Sequence, residues 1–362
     1  MAELSRLLTS GRGERRLSYL NRPDLLAAYL RCFLPWNVYR LSRLLPALPL
    51  DGVSGVTDLG SGPLTLPISL WIARPDLRGR RIDFLCADRS GPALEAGKKL
   101  FAALNSAWPA PAGARTEARA GQPWLIRTLR GDIHDLRPSP GASLITAVQV
   151  FNESGEASPA DREALGRRAE REARFLAGLA PPGAGILVME PGTPQPAAFI
   201  AELRGALLRR GRPPLAPCPH GGDCPFPGGP LRGEKQKWCH FAFDTEDAPP
   251  ALRRLSASAG LPKERAVLSF LYAGGVAPEG PDSPAPDFPV RILSDSFPVK
   301  SAGPPLRGRY ACSSAGAALV TGSPRRMDSL PSGTLLRLPP QPARRRDPKS
   351  GALLLPLEEG RS

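Results

Sequence analysis

The chain has 362 residues, with 48 Lys and Arg against 34 Asp and Glu for a formal charge of +14, and 41% hydrophobic residues. That length and apolar content exclude a wholly disordered chain and suffice for one large domain or two smaller ones. No apolar run reaches the ~18 residues that span a bilayer, and the opening MAELSRLLTSGRGERR lacks the apolar core of a signal peptide, so the expectation is a monomeric cytoplasmic protein with no membrane contact.

The basic surplus points toward a polyanion, because Lys and Arg displace counterions from phosphate backbones. Only seven of the 48 basic residues are Lys, so an Arg-rich coding bias accounts for the same surplus equally well. The 44 Pro and 37 Gly indicate long loops. In a reducing compartment the six Cys are free thiols or metal ligands rather than disulfides.

Along residues 17–50, Leu25, Leu26, Tyr29, Leu30 and Phe33, then Val38, Leu41, Leu44 and Leu45, repeat at helical spacing and predict two helices broken at Pro35. A rhythm of apolar strands and helices follows. Val53 to Asp58, RIDFLCAD (81–88), WLIRTL (124–129), SLITAVQVF (143–151) and AGILVME (184–190) read as strands buried on both faces. Helices are predicted near 92–104, 159–179 and 197–210. Such alternation predicts an α/β fold with a parallel, doubly wound sheet, which KWCHFAFD and RAVLSFLYAG would extend to seven strands. From 276 onward Pro-rich loops alternate with the strand candidates PVRILSD, GRYACSS, AALVTG and TLLRLP. Residues 291–362 carry 12 Lys and Arg against 5 Asp and Glu. The expected organisation is an N-terminal helical region (1–50), a main domain (51–275) with a Cys-rich insertion (211–240), a strand-rich basic extension (276–340) and a disordered tail (341–362).

Asp58-Leu59-Gly60-Ser61-Gly62-Pro63 closes the first strand and opens a helix. A sharp turn that brings backbone against a ligand needs glycine, which Gly60 and Gly62 supply. The dinucleotide fingerprint would need a third glycine where Thr65 stands, and a carboxylate at Asp58 would repel a diphosphate and suit a cationic ligand. The segment resembles the class I S-adenosylmethionine-dependent methyltransferases. That resemblance implies a Rossmann-like sheet, with Asp58, Gly60 and Gly62 at the cofactor turn, Asp88 on the ribose hydroxyls and Asp132 near the adenine amine. After the fourth strand stands VFNES, where amino-directed base methyltransferases carry an N-P-P-[YF]-like segment. Asn152 and Glu153 are the catalytic candidates there, or caps of the following helix.

Cys218, Cys224 and Cys239 fall within 22 residues of Gly- and Pro-rich sequence, CPHGGDCP followed by WCHF. Thiols on such backbone can converge on a metal. Cys312 is the best fourth ligand, whereas Cys32 and Cys86 sit in a helix and a strand as small core residues. The gaps of 5, 14 and 72 residues match no common zinc motif, although His220 or His240 could complete a Cys3His zinc site; zinc and an iron-sulfur cluster both remain open. CPHGGDCPF and KQKWCHF downstream of DLGSGPLT, together with YLNRPDLLAAYLRCFLPWNVYRL, VLSFLYA, RILSDSF and GRYACSS, resemble the methyltransferase-like family of small-ribosomal-subunit assembly proteins, which has bacterial members and mitochondrial relatives. The resemblance implies a [4Fe-4S] site at Cys218, Cys224, Cys239 and Cys312 and binding to small-subunit ribosomal RNA. Two readings follow from it, an S-adenosylmethionine-dependent rRNA methyltransferase and a catalytically silent assembly factor that keeps the cofactor pocket. A third reading is a zinc-bearing nucleic-acid-binding module.

Overall fold

A computed structural model describes residues 2–8, 19–108, 124–153, 162–226, 237–275, 288–300, 303–339 and 345–357. The chain opens with α1 (Ala2–Leu8), α2 (Pro23–Ala28) and α3 (Leu34–Leu44). The α/β alternation then runs β1 (Gly55–Leu59), α4 (Thr65–Ala73), β2 (Ile82–Asp88), α5 (Gly91–Ala107), β3 (Trp124–Arg130), β4 (Leu144–Val148), α6 (Arg162–Leu179), β5 (Gly185–Pro191) and α7 (Pro194–Leu208). Beyond it lie β6 (Pro214–Ala216), β7 (Phe241–Asp244), α8 (Pro250–Ser258), β8 (Arg265–Ala273), β9 (Phe288–Ile292), β10 (Phe297–Val299), β11 (Leu306–Ser313), β12 (Gly316–Gly322), α9 (Pro324–Asp328), β13 (Leu335–Leu338) and β14 (Leu353–Pro356).

These elements form two units. The first comprises 1–159, 171–190 and 244–266, the second 160–170, 191–243 and 267–362. This interleaving differs from the consecutive blocks expected at 1–50, 51–275, 276–340 and 341–362. Local periodicity identifies a strand but not the distant strand with which it pairs.

In the first unit β3, β2, β1, β4 and β5 lie side by side in that order, every pairing parallel. Parallel strands sandwiched by helices must be apolar on both faces, and all five positions of both β1 and β4 are buried. The order reverses direction between β1 and β4. Their outgoing loops therefore diverge and leave a crevice at the carboxyl ends of the strands, where open α/β sheets bind ligands. One face is anchored by Trp124, whose ring lies 4.8 Å from Trp71 edge-on and 5.9 Å from Phe101 in a stack. The N-terminal helices pack Leu4, Leu25, Tyr29 and Leu34 against Ala93 of α5.

The break expected at Pro35 is absent. Residues Tyr29–Phe33 form one wide π turn, and Pro35 then falls in the first turn of α3, where a missing N–H costs nothing.

The second unit contains a six-stranded sheet ordered β13-β9-β11-β12-β14, with β10 also on β11. Its core is Val290, Ile292, Ala311, Val320, Met327, Leu353 and Leu355. The last two correct the expectation of a disordered 341–362. Leu353–Pro356 is a strand parallel to β12, because alternate leucines of ALLLPL are buried in this core. Residues 340–344 and 358–362 lie outside the described residues. Pro214–Ala216, unassigned in the sequence reading, is a short strand antiparallel to β8.

Candidate functional site

Three residues in five adopt left-handed backbone after β1: Gly60 (φ 60°), Gly62 (φ 52°) and Leu64 (φ 56°). At Gly60 the need for glycine is steric as well, since a Cβ would stand 2.7 Å from Val150 Cγ2. Leu64 adopts this costly conformation while fully buried, which places α4 directly behind the turn. Gly97 of α5, unremarkable in the sequence, backs the same turn. A Cβ there would lie 2.4 Å from the carbonyl carbon of Pro63.

The carboxylates around this turn are held by the chain's own donors. Asp88, at the end of β2, accepts from Gly62 N–H at 2.9 Å and from Ser90 N–H at 2.7 Å. Burial pushes its pKa up, while those two N–H groups and Arg89 pull it down. Asp58 is buried and accepts from Ser61 Oγ at 2.5 Å and Thr146 Oγ1 at 2.6 Å. Desolvation lifts its pKa to about 6 against the pull of those two hydroxyls. Asp58 therefore braces β1, the turn and β4 from beneath, and does not face the crevice as a free carboxylate.

Asp132 follows β3 and is more open. It accepts from His134 N–H at 3.0 Å and pairs with Arg89. Its pKa lies below the ordinary value: burial raises it, and the His134 N–H and Arg89 outweigh burial. His134 in turn meets the buried Glu172 through Nε2 at 3.0 Å.

After β4, Gln149 also takes left-handed backbone (φ 62°). Asn152 is held by Glu190, a fully buried residue at the end of β5. Glu190 accepts from Phe151 N–H at 2.8 Å, Asn152 N–H at 3.2 Å and Asn152 Nδ2 at 2.7 Å. The same Nδ2 donates to Gln149 Oε1 at 3.3 Å. Asn152 is thus a positioned structural amide. The side chain of Glu153 lies outside the described residues. Glu190 was missed in the sequence because an acid at the end of an apolar strand gives no local sign of the loop it anchors.

In the second unit Cys218, Cys224, Cys239 and Cys312 are brought together. Burial pushes all four thiols up, and every pairing among them is close enough for one sulfur's charge to oppose the other's. Cys312 lies on β11 between Arg291 of β9 and Ala317 of β12. His220 Nε2 is 3.3 Å from Cys312 Sγ, while its buried Nδ1 has no partner. His240 instead stacks on Trp238 and meets its carbonyl at 3.2 Å. Among the described residues no group of three or more His, Cys, Asp or Glu side chains is arranged to grip a metal ion. Cys32 and Cys86 are free and buried, as small core residues.

Two cations face the thiols. Arg204 of α7, only 4% exposed, donates from Nε to Cys218 Sγ at 3.1 Å and from Nη2 to the carbonyls of His220 (2.9 Å) and Gly222 (2.7 Å). Arg291 donates to the carbonyls of Pro217 (2.9 Å) and Gly333 (2.8 Å). The thiols sustain its charge against burial, which lowers its pKa.

Residues 123–292, which include three of these cysteines and the ends of β3, β4 and β5, match the family described as mitochondrial small ribosomal subunit Rsm22. No curated protein sequence matches the chain. Among solved structures, an S-adenosyl-L-methionine-dependent methyltransferase from Methanococcus maripaludis is 16% identical, with 49% of this chain and 64% of that one covered and a TM-score of 0.29. A mitomycin 7-O-methyltransferase is 16% identical over 61% and 64%, with a TM-score of 0.36. A protein described as an RNA methyltransferase from Pyrococcus horikoshii is 12% identical over 66% and 84%, at 0.34. The chain thus spans a little under two thirds of the first two. No helix among the described residues is long and apolar enough to cross a membrane. The Rsm22-family match begins just before β3 and so leaves the glycine turn outside it.

Proposed function

We propose that this protein is a methyltransferase-like, S-adenosylmethionine-binding protein that engages the small ribosomal subunit and its rRNA, as a cytoplasmic monomer, and holds a [4Fe-4S] cluster on Cys218, Cys224, Cys239 and Cys312. The cofactor reading is carried by the Asp88 bracket. One carboxylate fixes the N–H of Gly62 in the turn and that of Ser90 at the start of α5, at the strand ends where this sheet reverses. Gly60 and Gly62 would take the cofactor against bare backbone, Asp88 would accept its ribose hydroxyls, and Asp132 would receive its adenine amine. S-Adenosylmethionine, when bound, supplies an electrophilic methyl group. The partner rests on the Rsm22-family match, and the basic residues after 290 would meet RNA phosphates.

Four thiols match the ligand number of a [4Fe-4S] cluster. A cubane cluster is larger than a single ion and takes one thiolate at each iron, so its ligands encircle it instead of converging on a point. The four thiols are mutual neighbours. Two guanidiniums beside them supply the positive charge that thiolate ligands need.

One observation favours the catalytically silent variant of this function. The Asn152 amide is already engaged by Glu190 and Gln149, so it does not stand ready to orient a target base. Calorimetric titration with S-adenosylmethionine tests the cofactor site. Saturable binding that Asp88→Ala weakens at least tenfold is expected, and no binding by the wild type sinks the reading. Transfer of labelled methyl groups to purified small subunits separates the enzyme from the silent factor.

A further inference from the structure

We propose that Gln149 reads a nucleobase in the crevice through its side-chain N–H, so that a base presenting a carbonyl there is accepted over one presenting an amino group. This inference rests on the reading of the protein as an RNA-binding, methyltransferase-like chain. Gln149 is the first residue after β4, and its backbone N–H still pairs with the Met189 carbonyl at 2.7 Å, which places it at the strand ends where the sheet reverses. There it takes left-handed backbone (φ 62°), a conformation that a residue with a side chain keeps only where its surroundings enforce it. The next residue, Val150, abuts the glycine turn, since a Cβ on Gly60 would stand 2.7 Å from Val150 Cγ2.

The direction of the Gln149 amide follows from its neighbours. The fully buried Glu190 accepts at both carboxylate oxygens, from Phe151 N–H at Oε1 and from Asn152 N–H and Nδ2 at Oε2. A carboxylate engaged in this way only accepts, so the end of Asn152 that meets it is the NH2. The same NH2 reaches Gln149 Oε1 at 3.3 Å, which turns the oxygen of Gln149 inward and leaves its Nε2 outward. Nε2 has no acceptor among the described residues and is not one of their buried unpaired atoms. It is a donor fixed in direction and open to solvent at the crevice. Uracil O4 and hypoxanthine O6 accept from such a group, whereas the amines of cytosine and adenine at the same positions set a second donor against it.

Fluorescence anisotropy with labelled decamers of uridine, cytidine, inosine and adenosine, at one fixed salt concentration, tests this on full-length wild type, Gln149→Ala, Gln149→Glu and Asn152→Ala. The wild type is expected to bind the uridine decamer about fivefold tighter or more than the cytidine one, and the inosine decamer likewise over the adenosine one. Gln149→Glu keeps an oxygen for Asn152 and turns the outward donor into an acceptor, so both ratios should invert, which a merely structural Gln149 would not produce. Gln149→Ala removes the donor and Asn152→Ala releases its direction, so each should bring both ratios close to one. Ratios near one in the wild type, or unchanged in Gln149→Glu, overturn the inference while leaving RNA binding in place. A wild type that binds none of the decamers overturns the RNA reading beneath it as well. If Gln149→Glu does not fold, judged by circular dichroism, Gln149→Ala decides: ratios close to one support the inference and wild-type ratios overturn it.

Discussion

The two candidate sites are built on opposite electrostatic plans. Around the turn after β1, the buried carboxylates Asp58 and Asp88 take their hydrogen bonds from hydroxyls and N–H groups of the same chain. Around the four cysteines Arg204 and Arg291 donate, among the described residues, to carbonyls and sulfur. The first site is complete without a ligand and offers a preformed backbone surface. The second places two guanidiniums beside four buried thiols.

The sharpest way to break this comparison is at the sulfurs. Cys312→Ser should abolish iron and sulfide uptake, read by elemental analysis, whereas Cys32→Ser and Cys86→Ser should leave it intact. Equal loss in all three would mean that the thiols act through folding and not as ligands.

The first site predicts a pH effect at Asp58. Below about pH 4 this group is neutral in both folded and unfolded chains. Between about pH 4 and pH 6 the unfolded chain ionises while the folded one keeps its proton, so stability falls as pH rises, by about 3 kcal/mol in all, and then levels off. Denaturation curves of wild type and Asp58→Asn across that window should differ by this slope. Parallel curves would show that Asp58 is not desolvated as described.

A third effect is smaller. In an ordinary helix Gly→Ala gains up to ~1 kcal/mol, yet Gly97→Ala should lose about 1–3 kcal/mol because its Cβ meets the Pro63 backbone. It should also weaken S-adenosylmethionine binding, since the displaced turn carries Gly62. The smallest effect is expected at Lys237, whose Nζ lies 3.4 Å above the Tyr310 ring. Lys237→Ala should cost about 0.5–1 kcal/mol in thermal denaturation and leave iron content unchanged.

The parts of both sites that a sequence displays are those where the residue type itself is the message. Gly60 and Gly62 announce a turn, Asp88 ends a strand, and Cys218, Cys224 and Cys239 cluster within a short loop. Gly97, Glu190 and Arg291 carry no such mark, because their roles depend on which distant backbone lies against them. Arg204 left a faint trace, as one Arg on an otherwise apolar helix face. Asp58 was legible as an acid at the turn but not as a buried brace, since Thr146, which accounts for half its hydrogen bonding, is 88 residues away. Alternate leucines in residues 352–357 signalled β14, and the surrounding Pro and Arg obscured it.

The central claim, that this chain works on the small ribosomal subunit, is tested most directly by crosslinking the protein to RNA in cells and sequencing the bound fragments. The account predicts fragments concentrated in small-subunit rRNA. Fragments spread across transcripts in proportion to their abundance, or no crosslinked RNA at all, would contradict it.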